Sequence, residues 1–209
     1  MNRASLALLV VVVMIGGSRE ASAAPRDTEA AVTIRTYNYD GISRVDLLHA
    51  REAADRIFRN ARIGLHWIDC RIPGLDDGEA CTDPINEGRE FLLRLLPPSS
   101  APAQGKAQLG ESLLDRNRQS GVLITLDPEL IRSIAQKAQS DGATLLGRAI
   151  AHELGHLLLG LGAHPRSGLM RAFWSTEEIR GLRPADWQFS GRESAQIRQG
   201  LLVKARTAN

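Results

Sequence analysis

Residues 144–159 read TLLGRAIAHELGHLLL, and the rest of the chain can be organised around this stretch. It is rich in Leu and Ala, apolar over most of its length and followed by Gly160, which predicts a buried helix of about four turns. Ionisable groups on the buried side of such a helix are costly unless a partner satisfies them. Yet His152, Glu153 and His156 fall within five residues at its centre. Residues four apart stand one above the other on one helix face. His152 and His156 can therefore aim ring nitrogens at one cation, while Glu153 lies beside them without having to share it. This is the H-E-x-x-H arrangement, in which two neutral imidazoles hold Zn²⁺ and the glutamate serves as general base for a zinc-activated water. The competing reading is a pair of core histidines satisfied by their neighbours.

A catalytic zinc needs a third protein ligand. His164 is the first candidate. Gly160 and Gly162 can break the helix, and the residues after the break span about 10–13 Å at ~3.3 Å each, enough to fold His164 back toward the metal. A carboxylate, Glu177 or Glu178, is the second candidate, although both also suit the N-terminus of a short helix at 175–179. Nothing in the sequence ties His49 or His66, the remaining two of the five histidines, to the site.

Working outward, residues 32–37 alternate apolar and polar as a strand does, and Asp40-Gly41 makes a turn. Ser43 is a plausible N-cap for a helix running to about Ala61. Strands are predicted at 65–68, 90–96, 109–114 and 121–126, with Leu109–Leu114 a short edge strand; the apolar run at 90–96 is read as a buried strand, with a helix the alternative on periodicity alone. Pro- and Ser-rich residues 97–108 read as a surface loop. Helices are predicted at about 129–139 and 190–204. Strands interleaved with two substantial helices imply an α/β or α+β layered fold.

The 209 residues fit one domain, and 43% hydrophobic with 24% charged residues describes an ordinary globular chain. A net charge of +2 gives no basic footprint for nucleic acid. Residues 1–23 read as a signal peptide: Arg3, then an apolar run from Leu6 to Ile15, then Gly16-Gly17 and the small-residue site Ala21-Ser22-Ala23. The run is too short for a membrane span of ~20 residues. Cleavage would leave residues 24–209 as a single exported domain with no membrane segment, secreted or periplasmic. In an oxidising compartment Cys70 and Cys81, the only two cysteines, read as a disulfide.

The motif helix, the later histidine and Ser167-Gly168-Leu169-Met170 together resemble the zincins, zinc metallopeptidases, and within them the metzincin branch that includes matrixins and astacins. The resemblance covers about residues 32–170. His152, Glu153 and His156 match directly, and Gly168-Leu169-Met170 is similar to the Met-turn, whose methionine packs beneath the metal ligands. Gly160 and His164 lie one and two residues later than in the family pattern, and no tyrosine follows Met170. The resemblance implies an α+β fold of zincin type: a small, mostly parallel sheet with an antiparallel edge strand, packed on two main helices. It implies a zinc metalloendopeptidase, a hydrolase, with Leu109–Leu114 pairing with an extended peptide or protein substrate. Leu169, Phe173 and Trp174 are candidates for the cleft wall. The alternative is a non-peptidase zinc hydrolase, or a non-catalytic zinc-binding module on the same scaffold.

Overall fold

The computed structural model describes residues 30–72, 81–97, 109–115, 120–160, 164–181 and 183–207. The elements in chain order are β1 (Ala30–Asn38), α1 (Arg44–Asn60), β2 (Ile63–Asp69), β3 (Glu90–Leu95), β4 (Gly110–Asp115) and β5 (Ser120–Leu126), then α2 (Pro128–Lys137), α3 (Gly142–Leu159), the short α4 (Thr176–Arg180) and α5 (Gly191–Thr207). Residues 1–23 and most of the loop at 97–108, each given a reading above, lie outside the described residues.

The strands form one sheet in the order β2-β1-β3-β5-β4. β1, β2, β3 and β5 run parallel, and β4 pairs antiparallel with β5 at the edge. This is the mixed, mostly parallel sheet of the predicted fold class. Register explains its buried face. Ile34 lies opposite Phe91, Leu93 opposite Ile124 and Leu95 opposite Leu126, so one face presents a continuous apolar layer. The other face carries polar side chains: Arg35 pairs with Glu90 at 2.8 Å, and Arg94 donates to Thr125 at 3.2 Å.

α1 and α3 cover the apolar face. Their contact is close because Gly147 has no side chain. A Cβ there would stand 2.2 Å from the Ala50 carbonyl oxygen and 2.7 Å from Ala53 Cβ. α5 lies over the ends of both helices, with Gln196 donating to the Leu159 carbonyl and Arg198 to that of Ala61.

Local signals set the boundaries. Asp127 ends β5 and also caps α2, its carboxylate accepting from Leu130 N–H at 2.9 Å, with Pro128 in the first turn. Asp141-Gly142, which reads as an interruption, is the start of α3: Asp141 accepts from Thr144 N–H at 2.6 Å. Gly160 ends α3 at φ 65°, the left-handed conformation glycine adopts without strain. Cys70 and Cys81 are joined in a disulfide. Among the described residues no helix is long and apolar enough to cross a membrane.

Candidate metal centre

α3 brings His152 and His156 to one face, and the chain after Gly160 returns His164 to them. Nε2 of His156 lies 3.0 Å from Nε2 of His152 and 3.0 Å from Nε2 of His164. Among the described residues this is the one group of three or more histidine, cysteine or carboxylate side chains close enough to share an ion. His152 and His156 are buried and His164 is exposed, so the point where they meet opens to solvent.

The donor chemistry fits a zinc ion. Three nitrogens each about 2.0–2.1 Å from a tetrahedral zinc lie roughly 3.3 Å apart, close to the spacings found. The second nitrogen of His152 is committed elsewhere: Nδ1–H donates to the Leu169 carbonyl at 2.9 Å. A carbonyl can only accept, so Nδ1 carries the proton and Nε2 keeps its lone pair for the shared point. Burial lowers the His152 pKa to about 4, with the Leu169 carbonyl opposing. The ring is therefore neutral at physiological pH, as a metal ligand must be.

Glu153 is 8% exposed. Burial pushes its pKa up to about 7, while the Ser112 hydroxyl on β4 bonds the carboxylate and pulls the other way. The base candidate thus touches the edge strand directly. Met170 is buried under α3: a Cβ on Gly155 would meet its Sδ at 2.5 Å. Trp174 stands edge-on to the His152 ring at 5.5 Å between centroids. Of the cleft-wall candidates, Phe173 is 66% exposed, whereas the Leu169 side chain is core and only its carbonyl serves the site.

The remaining candidates are placed elsewhere. Glu178 closes a capping box, accepting from Ser175 N–H at 2.7 Å, and its other oxygen lies 3.3 Å from Arg171 Nε. Its pKa is lowered chiefly by that backbone bond. Glu177 is exposed in the first turn of α4. Neither joins the three histidines. His49 lies on α1 and His66 on β2, both exposed. Sequence reasoning missed the Leu169 carbonyl, Ser112 and Arg171. A backbone acceptor has no sequence signature, and the other two reach the site only through tertiary packing.

The fold is one found among zinc-dependent peptidases. The chain is similar to a zinc-dependent peptidase from Methanocorpusculum labreanum, with a TM-score of 0.51 and 15% identity, covering 78% of this chain and 99% of that one. It is also similar to archaemetzincin from Methanopyrus kandleri, with a TM-score of 0.50 and 14% identity, covering 84% and 98%. At these identities the likeness is one of fold. No protein-family model and no curated protein matches the sequence.

Proposed function

We propose that this chain is a zinc-dependent metalloendopeptidase. The observation that carries the reading is the convergence of three histidine Nε2 atoms beside a buried glutamate. In this reading His152, His156 and His164 would hold Zn²⁺, a three-histidine donor set of the kind used by catalytic rather than structural zinc sites. When bound, zinc supplies a Lewis acid that polarises a carbonyl and lowers the pKa of water. Glu153 takes the proton of the attacking water and returns it to the departing amine. A carboxyl held near neutrality by burial suits both transfers.

β4 is the edge strand next to Glu153, and a peptide lying extended along it would place a backbone carbonyl near the histidines. Main-chain pairing of this kind makes few demands on substrate sequence. An exported, mature chain of residues 24–209 is part of the same reading. It is supported by the signal-like pattern at 1–23 and by the disulfide, a bond that persists in oxidising compartments.

The test is Glu153→Ala, assayed for bound metal and for cleavage of a general peptide substrate. It should retain stoichiometric zinc and lose about 10²–10⁴ in rate, the usual worth of a positioned general base. Full residual activity would overturn the assignment. His164→Ala should lose zinc first, since it removes one of three ligands.

A further inference from the structure

Arg171 is 5% exposed and follows Met170 directly. A buried guanidinium is costly unless its donors are met; in Arg171 the hydrogen bonds all fall on Nη1, while Nε and Nη2 are buried without a hydrogen-bond partner. Its Nη1 donates to the Gly168 carbonyl at 2.8 Å and to the Asp186 carbonyl at 2.7 Å. Its Nε faces Glu178. Its Cζ stands 5.0 Å from the centre of the Trp187 ring. One cation therefore ties together the turn at 168–171, α4 and the 3₁₀ turn at 184–187.

That first turn carries the carbonyl on which His152 depends. Its own backbone tethers are sparse: Leu169 N–H donates to Gln188 at 3.0 Å, and Arg171 N–H reaches Gly168 at a long 3.4 Å. Trp187, beneath Arg171, meets Trp174 edge to face at 5.0 Å, and Trp174 in turn meets His152. The Leu169 carbonyl thus leads back to the Arg171 clamp, whereas the Trp174 support reaches it through Trp187, a ring that Arg148 covers more closely, at 3.8 Å.

We propose that Arg171 is a positioning residue: by binding Gly168, Asp186 and Glu178 beside Trp187 it fixes the Leu169 carbonyl, and through that carbonyl the tautomer and direction of His152. The consequence for metal rests on reading His152 as a zinc ligand. The tautomer itself can be read with no metal added, so the two ideas fail separately.

The experiment pairs zinc affinity, by competition with a chromophoric chelator, with nitrogen NMR of the histidine rings in metal-free protein. Wild type should show His152 as a single Nδ1–H tautomer. Arg171→Met should show a mixture and bind zinc about tenfold more weakly, at the lower end of the loss when support behind a ligand is removed. Arg171→Lys, whose single nitrogen can still donate to both carbonyls, should recover most of that affinity and the single tautomer. A merely structural role would lower the melting temperature of Arg171→Met without changing the tautomer. If Arg171→Met does not fold, Arg171→Gln keeps a donor but cannot bridge both carbonyls, and it decides the matter on the same two readouts. Unchanged affinity with an unchanged His152 tautomer overturns the proposal. If wild type binds no zinc, the reading of the site fails, and the NMR comparison still decides the role of Arg171.

Discussion

Gly155 lies between the two helical histidines, and Met170 fills the space its missing side chain leaves. A Cβ there would come within 2.5 Å of Met170 Sδ and 2.8 Å of Phe189 Cε1. Alanine would gain about 0.8–1 kcal/mol in helix propensity, but overpacking a core costs about 1–3 kcal/mol. The thioether is pliable, which puts the cost toward the lower end. The two contributions nearly cancel, so Gly155→Ala should stay within about 0.5 kcal/mol of wild type in urea unfolding, and a gain equal to the full propensity term would refute this packing. At this scale the sequence was unevenly legible. His152, Glu153 and His156 could be placed because helix geometry alone fixes residues one and four apart. His164 could only be nominated, since its position depends on how the chain leaves Gly160. Ser112 carried no signal because its partner Glu153 lies far away in sequence, and Arg171 because its bonds to the Gly168 and Asp186 carbonyls depend on how the turns fold.

At the level of elements, α3 holds two of the three candidate ligands, and its first turn is fastened by Asp141. The Asp141 carboxyl lies below its ordinary pKa of 3.8, chiefly because its ionised side chain accepts from Thr144, with burial opposing. A depressed folded-state pKa stabilises the fold fully above the ordinary value. That stabilisation is lost as pH falls through the depressed one. Asparagine caps about as well but carries no charge for the helix dipole. Asp141→Asn should thus be less stable by roughly 0.3–1 kcal/mol at neutral pH, and the gap should close as pH falls below about 4. A gap that stays constant from pH 7 to pH 3 in thermal melts would show that the charge plays no part. Strand and helix positions were largely legible because their periodicities differ. The strand order was not: residues 90–96 could be read as a strand, but only tertiary pairing puts β3 between β1 and β5.

Across the whole molecule, two constraints sit at opposite edges of one sheet. The disulfide joins the end of β2, one edge strand, to the segment leading into β3. Arg35 fastens that segment further, donating to the Asp83 and Pro84 carbonyls and to Glu90. The three histidines lie under the other edge, where Glu153 meets β4. Four strand spacings separate the edges, roughly 19 Å at 4.7–4.9 Å each. Effects that far apart, with no shared partners, add to within about 0.5 kcal/mol. Each constraint has its own magnitude. Closing a loop of about 12 residues contributes roughly 2–3 kcal/mol through the unfolded chain. Zinc, binding only the folded chain, would add about 2.7 kcal/mol at a hundred times its Kd. Replacing both cysteines by alanine should therefore lower unfolding free energy by about 2–3 kcal/mol while leaving zinc affinity within about threefold of wild type. Chelation should cost the same in either background. The check is a four-way set of denaturant titrations, with and without the disulfide and with and without zinc. A coupling term above about 1 kcal/mol would mean that the sheet transmits strain between its edges and that the metal centre is not independent of the bridge.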